Sequence, residues 1–280
     1  MIQCNTFENL LQVIDNERKN GRSIGFIPTM GALHQGHLLL IQQAHREERV
    51  SVVSIFVNPL QFNNAEDFQK YPNTLVADIQ ELEKIDTQIL FVPSVEEMYP
   101  IGMETPGIPD FGELIHVLEG EFRPGHFEGV AKVLRRFLEK MNPDYLYLGQ
   151  KDYQQVLVIS KLIELMQYKT EVKVVETVRE PDGLALSSRN KRLNEEEREA
   201  ALVIWRVLQF MNENKLDYSV SELEKEGLNQ LRVEPLARPE YVAICDRKDL
   251  KRTTELIPGE CVALIACWIG EVRLIDNILL

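Results

Sequence analysis

No apolar run in the sequence approaches the roughly 20 residues that a membrane-spanning helix requires, so no membrane partner is expected. Cysteine is scarce. Cys4, Cys245, Cys261 and Cys267 form no CxxC pair and no zinc-ligand spacing, which points to reduced thiols and a cytoplasmic setting. Positive charge is also short: 31 Lys and Arg stand against 44 Asp and Glu, a formal net charge of −13. That balance argues against nucleic acid as a partner, since a nucleic-acid binder needs a basic face. An anionic small molecule would need basic groups gathered locally against the overall field. The opening MIQCNTFENLLQVIDNERKN lacks the apolar core of a secretory signal. What is present is ordinary globular composition, 44% hydrophobic and 27% charged over 280 residues, a length comfortable for two domains.

Short apolar runs alternate with helix-like stretches through the first two thirds. Residues 23–28 (SIGFIP), 50–57 (VSVVSIFV), 88–92 (QILFV), 145–148 (YLYL) and 171–178 (EVKVVETV) are expected to be buried strands. Residues 36–48, 75–84, 128–140 and 153–166 carry apolar side chains at three- and four-residue spacing, as helices do. Asn73 and Thr74 supply a helix start and Pro143 a stop. The alternation predicts an α/β fold, a Rossmann-like doubly wound parallel sheet. Composition changes near Arg179. Asn194 precedes Glu195, Glu196 and Glu197, which suit a helix N-terminus. A second helix is expected over 219–231, broken by Pro235 and Pro239. Strands are expected at 241–245, 261–268 and 272–275. We therefore expect a domain over residues 1–178 and a smaller C-terminal α+β lid domain over 179–280, with residues 63–72 contributing to the lid.

The first strand runs into PTMGALHQGHLLLI, residues 28–41. Gly31 and Gly36 permit tight backbone at the strand exit, and the following helix start is a natural anion site. His34 and His37 lie three apart around it. The Gly31–Gly36 spacing resembles a Walker loop, but His37 stands where the lysine belongs, so this is not a P-loop. Packing histidines and a metal-binding pair are the alternatives to phosphate binding. Lys151 follows the strand at 145–148, where its ammonium can meet a phosphate. Ser187, Ser188 and Arg189 offer hydroxyls and a guanidinium fork after a Gly-containing turn. Arg123 and His126 are placed to add charge, and Asp152 to hold Lys151 or a ribose hydroxyl. Gln61 and Gln155 are neutral amides that can bind polar groups without adding charge. Met30 and Phe62 would supply apolar walls. Asp78 and Glu81, on one face of the helix 75–84, are candidate metal ligands or a solvated face, and the metal ligands stay unknown.

Six segments in order carry a resemblance: the HxGH segment, SIFVNPLQF at 54–62, YPNTL at 71–75, EGEFRPGHFEGV at 119–130, GQKDYQQ at 149–155 and REPDGLALSSRN at 179–190. With the final WIGEVRLIDN they resemble the pantothenate synthetase (pantoate–β-alanine ligase) family of the HxGH nucleotidyltransferase superfamily. The resemblance implies condensation of pantoate with β-alanine through a pantoyl adenylate, releasing AMP and pyrophosphate. ATP would be the co-substrate, with Mg2+, and a homodimer the assembly, to which residues 52–55 near a sheet edge would contribute. Catalytic roles fall on His34, His37 (labelled a general acid in the family), Lys151, Ser188 and Arg189. ATP binding falls on Met30, Gly31, Ala32, Leu33, His34, Gln35, Gly36, His37, Gly149, Gln150, Lys151, Asp152, Val178, Leu186, Ser187, Ser188 and Arg189. Gln61 would contact pantoate and β-alanine, and Gln155 pantoate. One departure stands out: Gln150 replaces a glutamate frequent in the family. The rival readings are another HxGH nucleotidyltransferase acting on a phosphorylated alcohol, a nucleotide-binding regulatory module, and a zinc hydrolase.

Overall fold

The computed structural model describes residues 1–62, 68–69, 71–101 and 107–280. Residues 63–67 and 70, part of the expected lid segment 63–72, therefore lie outside the described residues. The chain forms two compact units. The first comprises Met1–His116, Gly120–Gln150 and Val158–Glu176; the second comprises Val117–Glu119, Lys151–Leu157 and Thr177–Leu280.

The first unit holds the expected parallel sheet. Its strands are β1 (Ile2–Cys4), β2 (Ile24–Thr29), β3 (Val50–Ile55), β4 (Ile89–Phe91), β5 (Tyr145–Gly149) and β6 (Glu171–Val175). Their order is β1-β4-β3-β2-β5-β6, with every neighbouring pair parallel. Successive side chains alternate faces, which divides the core into two layers. Ile27, Val53 and Leu90 meet Leu40 and Ile41 of the helix Gln35–Arg46 and Leu82 of the helix Leu75–Lys84. On the other face Phe26 packs on Phe137 of the helix His126–Met141, 5.0 Å between ring centroids, and Phe91 on Phe7 of the helix Phe7–Lys19 at 4.9 Å.

Several expectations change. Residues 52–55 do not border an edge: β3 lies between β4 and β2 and is buried throughout. An interior parallel strand, apolar on both faces, cannot be told from an apolar edge by its sequence. Strand 171–178 ends at Val175, and β1, too short to show a period, was not anticipated.

In the second unit the helices Glu195–Ala200, Leu202–Glu213 and Val220–Val233 accompany an antiparallel sheet. That sheet contains β7 (Ala237–Asp246), β8 (Cys261–Ile269) and β9 (Val272–Leu279) in the order β7-β8-β9. Asn194 and Ser219 cap their helices in reciprocal boxes with Glu197 and Glu222. Val207, Leu208 and Met211 pack with Ile244, Ala263 and Ile265 in the core. Pro239 does not end the sheet; it is tolerated in β7 where the register shifts between Pro239 and Tyr241.

Candidate active site

β2 pairs with β3 on one side and β5 on the other. In an open α/β sheet such a reversal of strand order opens a crevice at the carboxyl ends of the strands. Residues 30–37 leave β2 there, and Gly149 and Gln150 leave β5. Gly31 takes φ +79° and Ala32 φ +51°, two successive left-handed residues that turn the chain toward the helix Gln35–Arg46. An alanine in that region costs energy, so the turn needs support. Asp78 provides it. Its Oδ2 accepts the Ala32 N–H at 2.9 Å and its Oδ1 the Leu33 N–H at 2.8 Å. Thr74 Oγ1 donates to Oδ2 at 3.0 Å.

Asp78 is only 3% exposed, so the expectation of a solvated helix face is corrected: both oxygens brace the loop. Glu81 pairs instead with Lys84 Nζ at 2.6 Å on the surface. Thr74 makes no side-chain cap bond, because its hydroxyl goes to Asp78. Among the described residues no group of three or more His, Cys, Asp or Glu is arranged to hold a metal ion.

His34 caps the helix Gln35–Arg46, and its Nδ1 accepts the Gly36 N–H at 3.1 Å. His37 completes the box: its Nδ1 accepts the His34 N–H at 3.3 Å. The rings lie 4.0 Å apart, centroid to centroid, at 37°. A ring nitrogen that accepts an amide proton carries none itself, so each imidazole bears its proton on Nε2. Two neighbouring ring donors at a helix N-terminus suit an oxyanion. Gly36 lies within the helix, and its role is clearance: a Cβ there would stand 2.9 Å from His34 Cε1. Both rings are half-buried rather than core residues.

Gln61 is 8% exposed and held from several directions. Its Oε1 accepts from Asn58 Nδ2 at 3.1 Å, and its Nε2 lies 3.0 Å from Met30 Sδ. Asn58 also donates to the Gly129 carbonyl at 3.1 Å and accepts from Tyr99 Oη at 2.7 Å. Burial pushes the Tyr99 phenol well above its usual range, which keeps it a donor. The Gln61 carbonyl accepts from His126 Nδ1 at 2.9 Å, and Arg123 Nη1 stands 3.2 Å from His126 Nε2. A carbonyl accepts only, so His126 carries its proton on Nδ1. Arg123 and His126 thus position Gln61. Phe62 packs edge-on against Phe68 and Tyr71 at 5.3 and 5.7 Å.

The remaining expected residues belong to the second unit. Lys151 is half-buried, and among the described residues its ammonium makes no ion pair; Asp152 is exposed and does not hold it. The Lys151 carbonyl accepts from Asn277 Nδ2 at 2.9 Å. Gln155 lies half-buried in the first turn of the helix Tyr153–Leu165. The Leu186 N–H donates to the Val178 carbonyl at 2.9 Å, closing a hairpin that leads into Ser187. Ser187 Oγ accepts the Arg189 N–H at 3.2 Å, starting a short 3-10 turn in which Ser188 is buried. Glu119, at the head of the segment 119–130, accepts from Arg273 Nη1 and Nη2 at 2.7 and 2.6 Å and from Tyr241 Oη at 2.8 Å, a role its sequence does not signal. Asn58, Asp276 and Asn277 were likewise missed as individuals. The only sequence signals were the Asn58–Pro59 turn pair and the Asp-Asn closing the last motif.

The profile of the family described as pantoate-beta-alanine ligase matches residues 3–279. This chain belongs to that family. It is an enzyme of that kind, a ligase. A pantothenate synthetase of Carboxydothermus hydrogenoformans is 43% identical over 269 residues, 95% of this chain and 94% of the relative. The crystal structure of pantothenate synthetase from Thermus thermophilus is 41% identical, covers 99% of each chain and superposes with a TM-score of 0.93. The Francisella tularensis pantoate-beta-alanine ligase, complexed with beta-gamma ATP and beta-alanine, is 38% identical with a TM-score of 0.82, covering 100% of this chain and 97% of that one.

Proposed function

We propose that the enzyme joins pantoate to β-alanine in two steps at the cost of ATP. In the first, a pantoate carboxylate oxygen attacks the α-phosphorus; the bond to the β-phosphate oxygen breaks and pyrophosphate leaves. In the second, the β-alanine amine attacks the acyl carbon of the pantoyl adenylate, the C–N bond forms, AMP departs and the amine loses a proton. The observation that carries this reading is the histidine capping box, which aims two Nε2–H donors from one helix start. The ligands of the Francisella relative, ATP and β-alanine, support it.

Two anions meet in the first step, so catalysis consists mainly of positioning and charge neutralisation. His34 and His37 donate hydrogen bonds to phosphate oxygens from Nε2; with Nδ1 already accepting an amide, His37 acts by donating a hydrogen bond rather than by giving up its only ring proton. Lys151, Ser188 and Arg189 meet the charge that develops on the leaving pyrophosphate. Adenine lies against the Val178 and Leu186 backbone and the nucleotide against Gly149, where an added Cβ would meet nothing within 4 Å. Gln61 and Gln155 hold pantoate, Gln61 also meeting β-alanine, beside Met30 and Phe62. Magnesium arrives as part of the MgATP substrate, held by phosphate oxygens. Residues 179–280 act as a lid while the acyl adenylate exists, and scattering profiles that ignore ATP and pantoate would count against closure.

The enzyme is inferred to be a cytoplasmic homodimer. β6 is an edge strand with Val174 50% exposed. The Glu171 N–H bonds the Asp144 carbonyl, so Val172 and Val174 direct their backbone groups away from β5. Antiparallel pairing centred on Val172 sets Glu171 opposite Lys173 of a second copy. Val174→Pro keeps the β5 ladder and removes an outward N–H; light scattering then reads a monomer, and an unchanged dimer rules out this edge.

AMP release from ATP, Mg2+, pantoate and β-alanine, with each component omitted in turn, tests the activity. AMP dependent on both acids, with equal pyrophosphate, is expected. Pyrophosphate without AMP would make the enzyme a nucleotidyltransferase, and ATP binding without products a regulatory module.

A further inference from the structure

β9 carries Asp276 and Asn277 at consecutive positions, 5% and 2% exposed. Neighbouring side chains of a strand face opposite sides, and these two side chains reach different partners, while the Arg179 guanidinium also donates to the Asn277 carbonyl at 3.4 Å. The Asp276 carboxylate accepts from Arg179 Nη1 at 2.6 Å and Nη2 at 3.0 Å. The same guanidinium donates to the Gly183 carbonyl at 3.1 Å and lies 3.7 Å over the Trp205 ring. Arg179 and Gly183 are the base and the tip of the hairpin that ends at Leu186 and delivers Ser187, Ser188 and Arg189. Burial pushes the Asp276 carboxyl upward, and the bidentate guanidinium opposes that rise. On the other side Asn277 Nδ2 donates to the Lys151 carbonyl at 2.9 Å, while its own N–H donates to Asp276 Oδ1 at 2.8 Å.

We propose that Asp276 and Asn277 are positioning residues: one dipeptide sets the backbone of Lys151 and the hairpin that presents Ser188 and Arg189, and thereby fixes the spacing of the phosphate-facing groups. The assignment rests on the reading that those groups meet ATP. A buried ion pair is a poor source of stability compared with apolar packing of similar volume; a bidentate fork does supply a fixed geometry. Lys151 is otherwise a long, flexible side chain in a short 3-10 turn, Gln150–Asp152, and a point charge is useful only where it is held.

Asn277→Leu is nearly isosteric, adds no charge and removes the donor to the Lys151 carbonyl. Its kcat for AMP formation is expected to fall by about 10-fold, the scale of one hydrogen bond, with KM for pantoate and β-alanine within twofold of the parent. Asn277→Gln, which keeps an amide donor on a longer stem, should fall in between. In a Lys151→Ala background the same change should add little, since the group it positions is gone. Parent-like kcat in Asn277→Leu, or a loss that adds in full to that of Lys151→Ala, overturns the proposal. Amide hydrogen exchange provides a second readout that needs no activity. Exchange should quicken at residues 150–152 in Asn277→Leu and at 183–189 in Asp276→Asn; unchanged rates in both also overturn it. A parent enzyme that makes no AMP would sink the functional reading instead, and the exchange rates would still decide whether the dipeptide is the anchor.

Discussion

Asp78→Asn separates a loop brace from a metal ligand. The carboxylate accepts three donors, the amides of Ala32 and Leu33 at 2.9 and 2.8 Å and the Thr74 hydroxyl at 3.0 Å. An asparagine of the same shape offers one acceptor oxygen. If that oxygen serves Ala32 and Thr74, its NH2 faces the Leu33 N–H, two donors against each other. The loss is one charge-assisted bond with a buried amide left unpaired, about 2–3 kcal/mol. For a chain of this size about 2–4 °C of melting temperature goes with each kcal/mol. Calorimetry should therefore show the transition of the first unit about 5–10 °C lower. Turnover should suffer more, because the residues freed carry the left-handed turn that sets His34 and His37. A displacement near 1 Å costs on the order of 100-fold in rate. Raising Mg2+ should not restore the rate. Parent-like melting with parent-like turnover would refute the brace, and recovery at high Mg2+ would return Asp78 to the metal.

Other outcomes follow from the same geometry. Lys151→Ala should lower kcat by at least about 100-fold in the AMP assay, the scale of a lost oxyanion donor, with melting unchanged. Gln61→Ala should raise KM for pantoate and β-alanine before that for ATP; a defect confined to ATP would move Gln61 out of the acid site. All four cysteines are buried, so a thiol reagent at pH 8 should find almost none in the native enzyme and all four in guanidinium. Burial pushes Cys245 and Cys267 up to about 12, whereas an unfolded thiol ionises near 8.5. Their folded pKa values are raised, so this contribution is whole below about 8.5 and is lost as pH climbs toward 12, at about 1.4 kcal/mol per unit per thiol. Cys245→Ala should melt with a shallower pH dependence between pH 9 and 11, and an identical slope would contradict the assignment.

What could be read from the sequence, and what could not, divides by range. The parallel sheet was legible because its strands are apolar on both faces and alternate with amphipathic helices, a pattern that survives in any local window. The histidine pair was legible for the same reason, lying three residues apart beside two glycines. The supports for these groups are different. Asp78 lies 46 residues from Ala32 and Asn277 lies 126 from Lys151, and no period or spacing links such partners. Within its own helix, LVADIQELEK, Asp78 occupies an ordinary polar position, and its burial exists only once the loop has folded over it. Gly31 is followed by an alanine that also takes a positive φ, a conformation the local sequence cannot hold unaided. A short-range motif that needs such a turn implies an acceptor elsewhere in the chain, and a carboxylate able to take two adjacent amides is the side chain to look for.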